Sequence, residues 1–260
     1  RFPGRLQVAV FDTAFHRAMP PEAYHYALPY ELYEQHQVRR YGFHGTSHRY
    51  VAERAVRMLG RRSDDCNLIT LHLGNGCSAA AVRNGQSVDT TMGFTPLEGL
   101  VMGTRCGNID PALPFFFMDD LGMAPQEVHA MLNRRSGLLG LSGLSNDMRE
   151  LLEAARQGHE RAELAINVFC YQAKKCIGAY VAVLGRVHGI VFTGGIGENG
   201  DEVRARICRG LEPVGICLDE SKNRSVHGQD AVVSTESSPT AILVVHTDEA
   251  LKIAQDTYEI

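Results

Sequence analysis

The sequence predicts an α/β fold with a mixed β-sheet flanked by helices. Three observations support this fold: a meander of short strands, a later alternation of helices with buried strands, and glycine-rich turns after two strands. The meander strands are predicted at Asn67–Leu73, Cys77–Arg83 and Gln86–Thr91. Asn84-Gly85 between the last two is a hairpin signal, because both central turn positions need positive φ. Gly74-Asn75-Gly76 after the first strand could point backbone N–H groups at an anion or serve only the turn.

Composition limits the possible classes of protein. The 260 residues fit one large or two modest domains, and an apolar fraction of 44% is enough for a core. The net charge of −4 argues against a nucleic-acid surface, and no apolar run is long enough for a membrane span. Seven cysteines without paired spacing indicate reduced thiols and a cytoplasmic location. The chain begins at Arg1 without a signal peptide, and we expect the N-terminal part of a longer protein to be missing.

The first predicted strand, Leu6–Phe11, ends at Asp12. A carboxylate at the carboxyl end of a strand is often presented at the mouth of a site. Asp12 could equally terminate the strand or cap a helix. A loop is predicted over residues 13–21, and the tyrosines at positions 24–41 are more typical of a packing surface than of a cofactor site.

A helix is predicted to start with Thr46 or Ser47 as its cap and to continue to Leu59. His44 and His48 are four residues apart, a spacing that could indicate a metal pair. However, His44 lies before the cap, so the two need not share a helical face. We interpret His44 as a loop imidazole that can donate to an anion, and His48 as structural.

Residues 92–111 are rich in glycine and proline but also apolar, which predicts a buried, shaped loop and no regular helix. Arg105 lies between Gly103 and Gly107 in this loop. A guanidinium on permissive backbone suits a bidentate grip on phosphate or carboxylate. A salt bridge to a nearby acid is the competing interpretation.

Three helices are predicted in the second half: Pro125–Asn133, Asp147–Gln157 with Ser145 or Asn146 as its cap, and Arg161–Leu184. A buried strand, Gly189–Thr193, then runs into a glycine-rich turn over residues 194–200 and a helix over residues 201–211. Strand, turn and helix N-terminus together favour an anion site made from backbone donors and the helix dipole.

The chain closes with a strand, Ala241–His246, and a helix capped by Thr247-Asp248 that carries Glu249 in its first turn. No GxxxxGK[ST] motif is present, which excludes a P-loop protein, and GGIGEN is not the spaced GxGxxG of a dinucleotide fold. The whole order of elements is a ribonuclease-H-like layout, which serves ATP binding in sugar kinases, actin and heat-shock chaperones.

Longer segments carry a more specific resemblance. VFDTAFHRAMP, RRYGFHGTSHRYV, LHLGNG, DTTMGFTPLEGLVMGTRCGNIDP, SNDMRELL, FTGGIGENG and TDEALKIAQDT resemble the successive signatures of the acetate kinase family. The resemblance runs in order from about Phe11 to the C-terminus. Departures are small: Thr91 where the family often has Ser, Cys106 and Asn108 in one segment, and His246-Thr247-Asp248 in place of Pro-Thr-Asn.

The resemblance implies an actin-type ATPase domain that transfers the γ-phosphoryl group of ATP reversibly to acetate, giving acetyl phosphate and ADP. It implies Mg²⁺, with Mn²⁺ as a possible substitute, a cytoplasmic homodimer, and neither a nucleic-acid nor a membrane partner. Propionate or butyrate kinase is an alternative, as is a nucleotide-binding module without turnover. A chaperone-type or actin-type ATPase is disfavoured, because FDTAFH, RRYGFHGTSH and TRCGNID are not their signatures.

The resemblance also implies roles for single residues. Asp12 would orient the acyl substrate and Arg105, His44 would hydrogen-bond the transferring phosphoryl group, and Arg105 would stabilise its charge. Phe43 and Pro96 would wall the acyl pocket. Glu249 would hold Mg²⁺ directly or through water. The implied ATP-binding residues are His72, Leu73, Gly74, Asn75, Gly76, Asp147, Met148, Arg149, Gly195, Ile196, Gly197, Glu198 and Asn199.

The domain division follows from the same resemblance. Residues 1–14 would be a remnant of an N-terminal lobe, residues 15–248 the nucleotide-binding lobe with insertions, and residues 249–260 a helix returning to the absent lobe. The family's N-terminal lobe carries an early Asn and a substrate-gripping Arg, neither of which can be placed on this chain. We therefore expect the 260 residues alone to be inactive.

Overall fold

A computed structural model describes residues 4, 7–226 and 228–259. Its sheet is built from β1 (Asn67–Leu73), β2 (Cys77–Arg83), β3 (Gln86–Thr90), β4 (Gly189–Thr193), β5 (Ala231–Val232) and β6 (Ala241–Val244). The strand order is β3-β2-β1-β4-β6-β5. β4 runs parallel to both β1 and β6, whereas β2, β3 and β5 pair antiparallel with their neighbours. The predicted mixed sheet is therefore confirmed.

The meander forms with almost the predicted bounds, since only Thr91 falls outside its third strand. Asn84 and Gly85 have φ values of 52° and 79°, the left-handed pair that this tight hairpin turn requires. β1 and β2 pair residue for residue from Asn67↔Arg83 to Leu73↔Cys77. The turn chemistry and the length of each apolar run thus determine the register.

Helices cover both faces of the sheet. They are α1 (Pro21–Tyr24), α2 (Glu31–His36), α3 (Gly45–Met58), α4 (Leu113–Asp119), α5 (Pro125–Arg134), α6 (Gly137–Ser142), α7 (Met148–Arg156), α8 (Glu160–Leu184), α9 (Gly194–Asn199), α10 (Asp201–Cys208), α11 (Glu220–Ser225) and α12 (Glu249–Tyr258). α5, α7 and α8 match their predicted bounds within a residue at each end. Residues 92–111 form no regular helix, as predicted.

The alternation of side chains along β1 separates two apolar clusters. Ile69 and Leu71 pack in the larger cluster with the buried face of α8, including Phe169 and Ile177. Leu68 faces the other side and packs in a smaller cluster with α3. Because successive strand residues point to opposite faces, one strand fixes both helical layers.

The predicted strand at Leu6–Phe11 is not formed where the structure describes it. Leu6 lies outside the described residues, and residues 7–11 are irregular, with Phe11 70% exposed. A strand needs a neighbour for its backbone hydrogen bonds, and no described strand pairs with this segment. Within the predicted loop that follows, Ala14–Ala18 form a short 3₁₀ helix.

Two predicted helix caps are wrong. α3 begins at Gly45 after His44, and the hydroxyl of Ser47 instead lies 2.8 Å from His72 Nδ1 and 2.9 Å from Thr247 Oγ1. α7 is capped by Asp147, whose Oδ1 accepts from the Arg149 backbone N–H at 2.9 Å. In α3 the Ser47 hydroxyl forms tertiary hydrogen bonds and does not cap the helix, and a local sequence pattern cannot predict such contacts.

The glycine-rich segment after β4 is also more regular than predicted. Residues 194–199 are the helix α9, which begins directly at the strand end, and α10 follows after Gly200. Arg204 stabilises α9 because its Nη1 donates to the carbonyls of Gly197 and Glu198, both at 2.9 Å. The predicted helix at 201–211 ends earlier, at Cys208.

The last helix, α12, packs on α3 through ion pairs. Lys252 is buried, and its Nζ lies 3.1 Å from Glu53 Oε2, while Arg49 Nη1 lies 3.1 Å from Asp256 Oδ2. Asp248 caps α12 as predicted, accepting from the Leu251 backbone N–H. All seven cysteines are free. In the described part of the chain, no helix combines the length and apolarity that crossing a membrane requires.

Candidate functional site

The candidate site lies where two parallel strands end side by side. β1 ends at Leu73 and β4 at Thr193, and the two strands are hydrogen-bonded neighbours. The turn at 74–76 follows the first strand, and α9 follows the second. The carboxyl edge of such strands is where α/β sheets present ligand sites. The topology therefore brings the two predicted glycine-rich segments together.

A cleft of about 430 Å³ opens between these segments and the start of α7. Its lining contains predicted ATP-binding residues from all three elements: Gly74, Asn75, Asp147, Met148, Arg149, Gly195, Ile196 and Asn199. The cleft is closed at one side by Asn146, whose Nδ2 donates to Asn75 Oδ1 at 3.0 Å. The structure thus gathers most of the predicted nucleotide residues around one cavity.

The other predicted ATP-binding residues lie beside or behind the cleft. The Leu73 side chain is fully buried in the core. The Glu198 carboxylate is also buried, accepting from the backbone N–H of Gly194 at 2.9 Å and of Thr247 at 3.1 Å. Its other oxygen lies 2.5 Å from His246 Nδ1. Glu198 therefore ties the start of α9 to the segment before α12.

Asp12 fixes the entry to α3. Its Oδ2 accepts from the His44 backbone N–H at 2.6 Å, and its carbonyl accepts from the Gly45 N–H at 2.8 Å. His44 has a left-handed backbone, with φ of 56°, which is uncommon for a residue other than glycine. The two hydrogen bonds hold this conformation and aim the imidazole along the carboxyl edge of the sheet.

The His44 imidazole is held by two side chains. Its Nδ1 lies 2.8 Å from Ser78 Oγ, and its ring stacks on His72 with centroids 4.3 Å apart. Burial lowers the pKa of His44 to about 4, and the positive Arg105 acts in the same direction. Burial and then the neighbouring His44 lower the pKa of His72 to about 4. Both rings are therefore neutral near pH 7.

Arg105 meets His44 across a glycine. A Cβ on Gly76 would lie 3.3 Å from His44 Nε2 and 3.6 Å from Arg105 Nη1, so a side chain at this position would crowd the imidazole. Arg105 Nη1 also donates to the Pro96 carbonyl at 3.3 Å. Within the described residues Arg105 forms no ion pair, which argues against the salt-bridge interpretation. Its remaining donors suit an oxyanion.

The predicted pocket and metal residues lie around this pair. Pro96 is half-buried, and its carbonyl accepts the hydrogen bond from Arg105. Phe43 is also half-buried and directly precedes His44 in the chain. Burial, and then the negative charge of Asp12, raise the pKa of Glu249, so two carboxyl groups influence each other here. Among the described residues, no group of three or more His, Cys, Asp or Glu side chains is placed to hold a metal ion. A Mg²⁺ ion held here by Glu249 would therefore need phosphate oxygens of a bound ligand as further partners.

Sequence reasoning missed two side chains behind the site. Ser78 lies in the apolar run of β2, and nothing in its spacing separates it from a core residue. His48, interpreted above as structural, is fully buried between Thr70 Oγ1 and Ser78 Oγ, each at 2.8 Å. The sequence did contain one indication of this contact: a serine in an otherwise apolar run, in a chain whose preceding helix carries a histidine.

The mixed sheet, the two helical layers and the cleft at the strand ends define an α/β domain of the actin-type ATPase class. The sequence model of the Acetokinase family matches residues 1–255. The chain therefore belongs to the acetokinase family.

Individual relatives agree with this membership. The chain is 56% identical over 259 residues to the acetate kinase of Nitratidesulfovibrio vulgaris strain Hildenborough, and 55% identical over 258 residues to that of Methanosarcina thermophila. These alignments cover 100% and 99% of this chain, but 64% and 63% of the relatives. The chain thus spans just under two thirds of the length of these curated relatives.

Solved structures give the same result for the fold. The crystal structure of Porphyromonas gingivalis acetate kinase matches with a TM-score of 0.94 and 47% identity, covering 96% of this chain and 63% of that one. A propionate kinase from Francisella tularensis matches with a TM-score of 0.90 and 45% identity, covering 95% and 62%. The predicted actin-type fold class is confirmed.

Proposed function

We propose that the protein containing this chain is an acetate kinase. It transfers the γ-phosphoryl group of ATP to acetate, giving ADP and acetyl phosphate, and it runs the reaction in both directions. The observation that carries the proposal is the convergence of His44 Nε2 and Arg105 Nη1 across Gly76, at the edge of the cleft, in a member of the acetokinase family.

ATP occupies the cleft between the turn at 74–76 and α9, with its phosphates directed toward Gly76. Two features support this position. The N–H groups of Gly74 and Gly194 donate within the protein, to the Gly76 carbonyl and to Glu198. The proposed phosphate donors are therefore the N–H groups of Asn75, Gly76 and Gly195, and the N-terminal end of a helix attracts negative charge. A Cβ placed on Gly195 would meet no atom within 4 Å, so the cleft is open at that point. Asp147, Met148 and Arg149 form the adenosine side of the cleft.

The reaction is an in-line transfer. An acetate oxygen forms a bond to the γ-phosphorus, and the bond to the bridging β–γ oxygen breaks, leaving its electron pair on ADP. Charge spreads over the equatorial phosphoryl oxygens in the transition state, so positioning and charge stabilisation are the main catalytic contributions. Arg105 supplies a planar pair of donors, and His44, neutral at pH 7, supplies one N–H.

Asp12 and Glu249 are proposed to complete the site. Asp12 holds the backbone of His44 and orients Arg105 and the acyl substrate. Glu249, with its raised pKa beside Asp12, is proposed to hold Mg²⁺ directly or through water. Mg²⁺, or Mn²⁺ in its place, neutralises phosphate charge when it is bound. Homodimer formation, cytoplasmic location and the domain division at residues 14 and 248 stay predictions.

Phe43 and Pro96 are proposed to wall a small apolar pocket for the acyl methyl group. The curated relatives cited above, 55–56% identical to this chain, are acetate kinases, which supports acetate as the acceptor. The propionate kinase is 45% identical, close to the 47% of the acetate kinase structure, so a longer acid is the alternative to be tested. A binding module without turnover is the alternative from another class.

The test is a series of acyl acceptors. We expect kcat/KM for acetate to exceed the values for propionate and butyrate, measured with the full protein, including any sequence around these 260 residues. A preference for propionate or butyrate would contradict the substrate assignment. Tight ADP binding without turnover of any acid would favour the binding module.

A further inference from the structure

Three hydrogen bonds connect β1, α3 and β2 to His44. Thr70 Oγ1 lies 2.8 Å from His48 Nδ1, His48 Nε2 lies 2.8 Å from Ser78 Oγ, and Ser78 Oγ lies 2.8 Å from His44 Nδ1. Thr70, His48 and Ser78 are fully buried. We call these four residues the histidine relay. His44 is the one member of the relay that is only partly buried.

Both imidazoles of the relay are neutral. Burial lowers the pKa of His44 to about 4, and burial holds the pKa of His48 well below its ordinary value. A neutral imidazole has one N–H donor and one acceptor nitrogen. The position of that single proton decides whether His44 donates to a group in the site or presents a lone pair to it.

Ser78 couples the two rings. Its hydroxyl has one hydrogen and two lone pairs, so it can donate to only one of the two rings and accepts from any ring to which it does not donate. If Ser78 donates to His44 Nδ1, the proton of His44 is on Nε2, His48 donates from its Nε2, and Thr70 donates to His48 Nδ1. The opposite order leaves a lone pair on His44 Nε2.

The outer nitrogen of His44 is the free end of the relay. Within the described residues, His44 Nε2 has no hydrogen-bond partner. Every fully buried side-chain nitrogen or oxygen there has a partner, so His44 Nε2 must be accessible to solvent or to a ligand. It lies next to Gly76, beside Arg105 Nη1. An anionic oxygen placed there is attracted by an N–H and repelled by a lone pair, so it selects the order with Nε2–H.

We propose that Ser78 and His48 are positioning residues that hold His44 with its Nε2–H turned toward the transferring phosphoryl group. The relay moves no net proton during the reaction, because it fixes a tautomer and supplies a donor. The identity of the anion rests on the proposed function. The geometry of the relay does not depend on it.

The direct readout is the tautomer of His44. We expect ¹⁵N NMR of histidine-labelled protein with Mg²⁺, ADP, acetate and aluminium fluoride to give a His44 spectrum with the proton on Nε2. In Ser78→Ala the signal should move toward the Nδ1–H form or an average of the two. A wild-type proton on Nδ1, or an unchanged tautomer in Ser78→Ala, would overturn the proposal.

Kinetics give an independent readout. Ser78→Ala should lower kcat by about tenfold or more and change KM for ATP by less than about threefold, because the lost contact serves the transition state. Thr240→Val is the control: it removes a buried hydroxyl that donates to the Val187 carbonyl at 3.0 Å, next to the opposite end of the sheet. Equal kcat in the two variants would contradict the positioning role.

His48 offers a matched pair. His48→Gln keeps one donor and one acceptor and should retain more kcat than His48→Leu, which keeps neither. If Ser78→Ala does not fold, Thr70→Val replaces it, with the same Thr240→Val control. Equal kcat in both His48 variants, or in Thr70→Val and the control, would count against the relay.

The proposed function can fail separately. If the wild-type protein makes no acetyl phosphate, the substrate assignment is wrong, and NMR with Mg²⁺, ADP and inorganic phosphate then tests the tautomer alone. A phosphate-dependent Nε2–H signal that Ser78→Ala loses would still support the relay. If the wild type shows no such signal, the proposed role of the relay is wrong as well.

Discussion

At the scale of single residues, the proposed chemistry rests on Arg105 and His44. Among the described residues, the hydrogen bonds of the Arg105 side chain go to the Pro96 carbonyl and the Met102 sulfur, and no carboxylate forms an ion pair with it. Its position beside a neutral imidazole is therefore suited to an anion that arrives with the substrate.

Arg105→Lys should lower kcat by about 10²–10³, although the charge is kept. A lysine ammonium is a point charge and cannot reproduce the planar fork of a guanidinium. Steady-state kinetics in the full protein measure this effect. Arg83→Lys is the matched control, because Arg83 is exposed and donates to a single carbonyl, that of Val183. Near-normal kcat in Arg105→Lys, with normal ATP and acetate binding, would assign Arg105 a purely structural role.

The buried histidines predict how stability depends on pH. Burial lowers the pKa of His16 from 6.5 to about 4. Between these values the unfolded chain binds a proton that the native state excludes, so the unfolding free energy falls as pH falls from about 6.5 to about 4. Above about pH 6.5, His16 is neutral in both states and no longer lowers the unfolding free energy. Urea unfolding at several pH values measures this slope.

His16→Gln should reduce that slope by up to about 1.4 kcal/mol per pH unit, the value for one proton. The exposed His36 provides the control, and His36→Gln should leave the slope unchanged. Parallel curves for wild type and His16→Gln would show that His16 is not the group that resists protonation.

At the scale of elements, α9 and the turn at 74–76 build the cleft. Gly195→Asp should weaken Mg²⁺·ADP binding by about 100-fold or more, because it puts a carboxylate where the phosphates are proposed to approach. Gly195→Ala separates charge from volume: open space surrounds this position, so the alanine variant should fold and bind within about tenfold of wild type. Calorimetry measures both. Normal ADP binding by Gly195→Asp would contradict the proposed phosphate position.

Arg204 anchors the same element. Its guanidinium is fully buried, donating to the carbonyls of Gly197 and Glu198 and to both oxygens of Asn223. Arg204→Leu should lower the unfolding free energy by about 3 kcal/mol or more, because several buried acceptors lose their donors. Arg209→Leu, at an exposed site, is the control in urea unfolding. Equal stabilities would contradict this anchoring role.

The bounds of an element could be predicted from the sequence where nearby residues determine them. The Asn84-Gly85 hairpin, the ends of β1, β2 and β4, and the cap of α12 all follow from turn, cap or apolar patterns. The helical state of 194–199 was missed because Arg204, further along the chain, stabilises it. The Ser47 cap failed because a contact with His72 uses its hydroxyl.

At the scale of the whole molecule, the parallel pairing of β1 with β4 creates the site. It places the segment after Leu73 beside the segment after Thr193, which are separated by more than a hundred residues of chain. Long-range pairing of this kind cannot be read from periodicity. The family resemblance implied that both segments bind ATP, but the pairing of the two strands emerged only from the structure. The resemblance likewise named Asp12 and Glu249, whereas the contacts of Ser78 and His48 emerged only from the structure.

The most direct test of the account is acetyl phosphate formation by the full protein, trapped with hydroxylamine as acetyl hydroxamate. We expect hydroxamate only when ATP, Mg²⁺ and acetate are present together, in an amount that matches the ADP produced. Release of phosphate from ATP that acetate and hydroxylamine leave unchanged would contradict it. That result would indicate an ATPase built on the same fold.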